Sequence, residues 1–224
     1  MVGVREIVDG VFEVNIGFVH AHLVVTDDGV VLVDTGLPGR SGRVGAALRE
    51  LRREIGDITA ILVTHRHADH VGGLAALRRE SGARVVAHER DAPSIDGTRP
   101  VPLTRLQRFI STVTGTAEVV PVDETLSADG AISVPGFSAV HTPGHTDGHV
   151  SYLLDRAGGV LFAGDAASGG RRGVQRSPKI MSDDPARAEE SLRRLAALDF
   201  ETVVFGHGTA VTAGAADRFR ALIA

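Results

Sequence analysis

The chain has 224 residues, of which 24 are Lys or Arg and 28 are Asp or Glu, and its net charge of −4 argues against a role that depends on binding polyanions. Hydrophobic residues make up 43% of the sequence, which is enough for a substantial buried core, and we expect one domain over residues 1–224. Because the sequence contains no cysteine, disulfides, thiolate metal ligands and a cysteine nucleophile are excluded. It shows no apolar run long enough to span a bilayer and no apolar leader segment, so we expect a cytoplasmic protein.

Strand-like and helical patterns alternate along the first half of the chain. Residues 21–36 predict a hairpin whose turn contains Asp27, Asp28 and Gly29. The next predicted elements are a helix at 41–56, a buried strand at 58–65, a helix at 70–82 and a strand at 83–88. This alternation is typical of a layered α/β fold in which helices cover a sheet.

The second half continues with strand-like runs that Gly and Pro interrupt, at 131–141, 149–165 and 199–208. A helix is predicted at 182–198, with Asp184 as its N-cap and Pro185 at its first position. Between the two halves, residues 92–116 predict a loop with a short helix, and its part at 98–114 is the candidate lid. Two interpretations of that segment stay open, namely a helix packed on the edge of the core and a lid over an active site.

Seven potential metal ligands lie just past the C-terminal ends of predicted strands: His65, His67, Asp69, His70, His145, Asp165 and His207. In layered α/β proteins, strand ends and their loops converge to build functional sites. Imidazole nitrogen and carboxylate oxygen suit Zn²⁺, and also Mn²⁺ or Fe²⁺. Five histidines and two carboxylates are enough to fill two coordination shells that share one carboxylate, so the pattern predicts a binuclear metal site.

Five motifs in this chain together resemble those of the metallo-β-lactamase superfamily: VDTG at 33–36, H-x-H-x-D-H at 65–70, TPGHTDGH at 142–149, AGD at 163–165 and FGHG at 205–208. The pattern is similar to that of compact members related to hydroxyacylglutathione hydrolases and lactonases. The resemblance implies an α/β fold, a four-layer αβ/βα sandwich of two mixed β-sheets flanked by helices. It also implies two groups of ligands around a bridging Asp165: His65, His67 and His145 on one metal ion, and Asp69, His70 and His207 on the other.

The resemblance further implies a metal-dependent hydrolase. Two divalent ions, expected to be Zn²⁺ with Fe or Mn as alternatives, would share a hydroxide that attacks the ester, thioester or lactone carbonyl of a small molecule. Asp69 would be the catalytic carboxylate that orients this nucleophile. We expect a small-molecule substrate and no nucleic-acid or membrane partner, and both a monomer and a homodimer stay open.

Several residues outside the ligand set are candidates for supporting roles. Asp34 is expected to orient a ligand histidine or the surrounding loops through hydrogen bonds. His22 and His149 are candidate substrate-binding residues that would shape the pocket. Arg171 and Arg172, on a glycine-rich loop after Asp165, are candidates to receive a substrate carboxylate or phosphate. Structural roles are expected for three other histidines, His20, His88 and His141.

Three other functions stay open at this point. A mononuclear iron enzyme similar to persulfide dioxygenases would use part of the same ligand set. A β-lactam hydrolase would use the whole set on another substrate. A metal-binding module without catalysis is the third alternative, and the presence of Asp69 argues against it. Metal content and oxygen uptake separate the iron enzyme from a hydrolase.

Overall fold

The chain is seen in a computed structural model that describes residues 3–101, 112, 115–171 and 173–224. It divides into two compact units, the first comprising Met1–Ala87 and Ala92–Thr125 and the second His88–Asp91 and Leu126–Ala224. Each unit is built on a mixed β-sheet with helices, which confirms the predicted α/β class. Most of the segment 98–114, predicted as a possible lid, lies outside the described residues, and so does Arg172.

The first unit is built on a seven-stranded sheet. Its strands, which follow one another in space as in sequence, are β1 (Val4–Val8), β2 (Val11–Asn15), β3 (His20–Thr26), β4 (Gly29–Val33), β5 (Ile58–Leu62), β6 (Arg84–His88) and β7 (Glu124–Leu126). Strands β1 to β4 are antiparallel neighbours, whereas β4, β5 and β6 run parallel. The helices are α1 (Gly42–Glu50), α2 (Ala68–Val71), α3 (Leu74–Ser81) and α4 (Ala92–Ile95), with a 3₁₀ turn at Ile55–Asp57.

The β3–β4 hairpin is formed as predicted. Thr26 pairs with Gly29, so Asp27 and Asp28 make a two-residue turn. Apolar side chains from the strands pack with those of α1 and α3 in one core, in which Leu32, Leu48 and Leu74 are fully buried. Burial of this kind contributes roughly 1.5–3 kcal/mol for each large aliphatic side chain.

Two helix predictions in this unit were wrong in their bounds. The first helix ends at Glu50 instead of Gly56, because Arg52 turns the backbone into the left-handed region with φ 57°. The helix predicted at 70–82 is two helices, since the N–H of Gly72 donates to Gly36 O, 2.9 Å away, and leaves the helical hydrogen-bond ladder. A Cβ at Gly72 would lie 2.1 Å from Pro38 N, so the loop after β4 occupies the space that a side chain would need.

The second unit contains seven further strands: β8 (Gly130–Ala131), β9 (Phe137–His141), β10 (Val150–Leu154), β11 (Val160–Phe162), β12 (Ala167–Gly170), β13 (Gly173–Arg176) and β14 (Thr202–Val204). A five-stranded sheet has the order β14-β11-β10-β9-β8, in which only β11 and β14 are parallel. Strands β12 and β13 form a separate hairpin. The helices are α5 (Pro185–Ala196) and α6 (Ala215–Ile223), with a 3₁₀ turn at Lys179–Met181.

The start of α5 confirms its predicted cap. The Asp184 carboxylate accepts the N–H groups of Ala186 and Arg187 at 3.0 and 3.1 Å, and Pro185 occupies the first helical position. Phe205 and Phe219 belong to the apolar core of this unit, which contains residues of α5 and α6. Across the ranges that the structure covers, no helix combines the length and the apolar character needed to cross a membrane.

The tight contact at Gly72 gives a stability prediction. We expect Gly72→Ala to lower the free energy of unfolding by about 1–3 kcal/mol, because the added Cβ overlaps Pro38 N and the loop must shift. Gly56→Ala is the matched control, since a Cβ there meets no atom within 4 Å, and it should change stability by less than about 0.5 kcal/mol. Urea unfolding followed by circular dichroism measures both variants, and equal losses would contradict this account of Gly72.

Candidate metal centre

Asp34 organises the histidine motif of the first unit. It lies directly after β4, is buried, and has a left-handed backbone with φ 58°. Its Oδ1 accepts the N–H of Thr64 at 2.8 Å, while Oδ2 accepts the Thr64 hydroxyl at 2.7 Å and Nδ1–H of His70 at 2.8 Å. These contacts hold Thr64 and His70 in place, and the role of Asp34 in orienting a ligand histidine stays a prediction. With its proton on Nδ1, His70 carries its lone pair on Nε2, the nitrogen suited to bind a metal.

His65 and His67 bring two ring nitrogens close together. Because the Thr64 hydroxyl donates to Asp34, it accepts from Nδ1 of His65 at 3.0 Å, which leaves the lone pair of His65 on Nε2. That Nε2 lies 3.1 Å from Nδ1 of His67. Two ligands of one tetrahedral Zn²⁺, each about 2.0–2.1 Å from the ion, are about 3.3 Å apart. The two nitrogens therefore have a spacing that suits two ligands of a single ion.

Helix α2 carries the other two candidates of this unit. Nε2 of His70 lies 3.9 Å from Oδ2 of Asp69, whose side chain is 25% exposed, whereas His70 is fully buried. Thr35 fixes the helix, since its N–H and its hydroxyl donate to His70 O at 2.7 and 2.8 Å. The N–H of Gly73 in turn donates to the Thr35 hydroxyl at 3.2 Å. Hydrogen bonds from the VDTG loop thus hold the H-x-H-x-D-H motif in place.

In the second unit, Asp165 faces two histidines with one oxygen. Its Oδ2 lies 3.4 Å from Nε2 of His145 and 3.4 Å from Nε2 of His207. His145 is buried and the side chain of His207 is partly exposed. Asp165 therefore stands between histidines that were predicted to bind different metal ions.

His149 accepts a hydrogen bond from the backbone of Asp165. The Asp165 N–H donates to Nε2 of His149 at 3.0 Å, so His149 carries its proton on Nδ1, which lies 2.8 Å from the Thr142 hydroxyl. The Thr142 hydroxyl lies 3.0 Å from the Ser151 hydroxyl, which in turn donates to Ala163 O at 3.3 Å and ends this series of hydrogen bonds. His149 is fully buried and uses both ring nitrogens in these contacts. They favour a positioning role over the substrate contact predicted for it.

The donor set of the two units fits divalent transition metals. The predicted ligands offer neutral imidazole nitrogens and carboxylate oxygens, and the sequence has no thiolate. His22, which lies on β3 and is buried, has its pKa lowered to about 3 by burial first and then by the neighbouring His20 and His70. Its ring is therefore neutral near pH 7 and adds no positive charge close to His70.

Comparison with known sequences assigns the chain to a family. The sequence matches the family model of the metallo-beta-lactamase superfamily over residues 14–207. The chain belongs to this superfamily. A solved metallo-β-lactamase from Cronobacter sakazakii has the same fold, with a TM-score of 0.72 at 24% sequence identity, covering 92% of this chain and 81% of that chain. The predicted metallo-β-lactamase fold is thus confirmed.

Two curated relatives within the metallo-β-lactamase superfamily illustrate its enzymes. A probable metallo-hydrolase, YflN, from Bacillus subtilis is 28% identical over 205 residues, which cover 81% of this chain and 76% of that protein. A hydroxyacylglutathione hydrolase from Pseudomonas paraeruginosa is 34% identical over 154 residues, which cover 66% of this chain and 46% of that protein. The chain thus spans about half the length of the hydroxyacylglutathione hydrolases that it matches. These relatives and the family support a metal-dependent hydrolase.

The remaining predicted residues of this superfamily member have diverse surroundings. Arg171 lies exposed in the turn between β12 and β13, and its predicted substrate contact stays a prediction. His20 is buried, with Nδ1 3.6 Å from Oε2 of Glu13. The rings of His88 and His141 stack with centroids 4.0 Å apart. These contacts agree with the structural roles predicted for the three histidines.

Four positioning hydroxyls were not predicted: Thr35, Thr64, Thr142 and Ser151. Thr35 and Thr142 fall inside quoted motifs of the superfamily, and Thr64 directly precedes the first candidate ligand. Their position beside ligands was therefore visible in the sequence. Their partners were not, because each hydroxyl bonds to a group that is distant in sequence or on a separate strand.

The contacts of Asp34 predict a change in metal affinity. We expect Asp34→Asn to weaken metal binding roughly 10–100-fold, because an amide nitrogen cannot accept the hydrogen bonds that Oδ2 accepts from Thr64 and His70. Asp155→Asn, at an exposed carboxylate of the second unit, is the control and should bind as the wild type does. Competition with a chromogenic chelator measures both. A wild-type affinity in Asp34→Asn would refute its orienting role.

Proposed function

We propose that this protein is a binuclear metal-dependent hydrolase that cleaves an ester, thioester or lactone bond of a small molecule. The observation that carries the proposal is the equal 3.4 Å distance from one carboxylate oxygen of Asp165 to His145 and to His207. A carboxylate that serves two metal ions needs one ligand group of each ion beside it. The two histidines meet that requirement under the ligand grouping that the family resemblance implies.

The proposal keeps the ligand grouping that the family resemblance implies. His65, His67 and His145 would hold one ion, Asp69, His70 and His207 would hold the other, and Asp165 would be shared. Zn²⁺ is the proposed ion, with Fe or Mn as alternatives, and a bound pair supplies Lewis acidity and a water that is acidic near neutral pH.

The protein's own residues have the remaining tasks. Asp34 keeps the His70 proton on Nδ1, and Thr64 does the same for His65, so both rings present Nε2 in neutral form. Asp69, which is partly exposed, would orient the attacking water and receive its proton on a carboxylate oxygen. His149 fixes the backbone of Asp165 and thereby the place of the shared carboxylate.

The substrate class rests on the relatives. Hydroxyacylglutathione hydrolases, by their name, act on a thioester of glutathione, which favours a thioester among the three carbonyl classes. The proposal extends to a small-molecule substrate without a nucleic-acid or membrane partner, in keeping with the net charge of −4. The cytoplasmic location and the choice between monomer and homodimer stay predictions from the sequence.

Removal of Asp165 tests the binuclear centre. We expect about two metal ions per wild-type chain and about one in Asp165→Ala, with nearly all hydrolysis lost, because two dications without a shared carboxylate repel each other across a weakly screened gap. Asp155→Ala, an exposed carboxylate of the same unit, should keep both ions and full activity. Elemental analysis gives the counts. One ion in the wild type, or an unchanged count in Asp165→Ala, overturns the binuclear assignment.

A substrate screen tests the reaction class. We expect kcat/KM to be highest for an acyl thioester, lower for a lactone or ester, and lowest for a β-lactam, with no oxygen consumed during turnover. The same protein preparation should be assayed with each substrate at equal metal content. Oxygen uptake with a persulfide, together with one iron per chain, would instead identify the mononuclear iron alternative.

A further inference from the structure

The segment His88–Asp91 lies outside the motifs that carry the family resemblance. It groups with the second unit, although the residues on both sides of it in sequence belong to the first. Its side chains contact the end of β9 and the segment between β9 and β10, which carries His145. This connection of eight residues contains no helix or strand. Backbone hydrogen bonds such as Thr142 N–H to His149 O, 2.9 Å, hold part of it, and side-chain contacts add to them.

Asp91 makes the most buried of these contacts. Asp91 is 1% exposed, its Oδ2 accepts the Thr146 hydroxyl at 2.7 Å, and its Oδ1 accepts the Gly148 N–H at 3.0 Å. Thr146 directly follows the candidate ligand His145. A Cβ at Gly148 would lie 2.4 Å from Asp91 N, so only glycine permits the approach. Buried hydrogen bonds to a carboxylate are stronger than neutral ones and costly to break.

Other contacts of the segment support the same arrangement. Arg90 Nη1 lies 3.2 Å from both oxygens of Asp147, and Arg187 binds the same carboxylate at 2.6 Å. The His88 ring stacks on His141, whose Nε2 lies 2.9 Å from Asp147 O. Burial, and then the neighbouring His141, lower the pKa of His88 to about 4, so the His88 ring is neutral near pH 7. The arginine pairs are half exposed and contribute little, which leaves Asp91 as the main anchor.

The other side of His145 is anchored separately. The Ser191 hydroxyl of α5 donates to Pro143 O at 2.7 Å, and the Asp183 N–H donates to His145 O at 3.1 Å. His145 therefore lies between a contact from α5 on its N-terminal side and the Asp91 contact on its C-terminal side. Loss of either would let the backbone that carries the imidazole move.

We propose that Asp91 is a positioning residue that holds the loop of His145 in its metal-binding conformation and so sets metal affinity without contacting substrate. This inference rests on the proposed function, in which His145 is a metal ligand. Groups that hold metal ligands in place typically change metal affinity 10–100-fold when they are removed.

The test compares variants of Asp91 and Thr146 with a matched local contact elsewhere. Asp91→Ala and Thr146→Val remove the contact, whereas Thr146→Ser keeps the hydroxyl. Asp96 is the control, because it also accepts a threonine hydroxyl and a backbone N–H, both from Thr98, at 2.7 and 2.8 Å. Each folded variant is titrated with Co²⁺ against a chelator, its visible spectrum is recorded, and hydrogen exchange of the 142–149 peptide is measured without metal.

We expect Asp91→Ala and Thr146→Val to weaken one Co²⁺ equivalent roughly 10–100-fold, change its spectrum and speed exchange at 142–149. Thr146→Ser and Asp96→Ala should match the wild type. The effect of the double variant should be smaller than the sum of the two single effects, because Asp91→Ala and Thr146→Val remove the same hydrogen bond. Wild-type affinity and spectrum in Asp91→Ala, or equal losses in Asp96→Ala, would overturn the proposal. If the proposal fails but the wild type binds two ions and hydrolyses thioesters, the proposed function still holds. If the wild type binds one ion, and Asp91→Ala weakens the binding of that ion, the inference about Asp91 holds and the binuclear function does not.

Discussion

The hydrogen bonds of Asp34 are the interaction on which the histidine motif depends. One buried carboxylate receives three donors, two from Thr64 and one from His70, and so fixes the end of β5 and the helix α2 against the end of β4. Strands β4 and β5 are parallel neighbours, which places their C-terminal ends at the same edge of the sheet. The left-handed φ of 58° at Asp34 is a local cost that these contacts offset. A residue at the end of one strand thus orients candidate ligands that follow the neighbouring strand.

In the second unit, a candidate ligand is held by an imidazole and two hydroxyls instead of a carboxylate. There a chain of hydrogen bonds runs from the Asp165 N–H through His149 to two hydroxyls and ends on a backbone carbonyl. The chain holds the backbone of a candidate ligand instead of its side chain. The Asp165 carboxylate is not part of that chain, and its Oδ2 lies 3.4 Å from Nε2 of both His145 and His207. Buried networks of this kind favour one arrangement when every member is paired.

Hydrophobic periodicity was sufficient to predict the β3–β4 hairpin, strand β5, strand β6 and the capped helix α5, because these elements combine a clear pattern with turn or cap residues. It failed at the ends of α1 and between α2 and α3, where the outcome depends on Arg52 and on a loop that passes over Gly72. The β12–β13 hairpin was missed, since Ala167–Gly170 contains two glycines and no β-branched residue. A tertiary contact decided the break at Gly72, whereas the other two cases depend on local backbone and composition.

The candidate ligands were visible as a spaced pattern, but the pattern did not separate a ligand from a positioning histidine. His65, His70 and His149 all carry the proton on Nδ1 and the lone pair on Nε2, as their hydrogen-bond partners assign it. They differ in what faces Nε2. For His65 and His70 it is another candidate ligand atom, at 3.1 and 3.9 Å, whereas for His149 it is the backbone N–H of Asp165. Two atoms of the first kind can both donate to one metal ion, whereas a metal on Nε2 of His149 would break its hydrogen bond from the Asp165 N–H. For these three histidines, the atom opposite Nε2 therefore separates a candidate ligand from a positioning residue, and only the folded structure defines that atom.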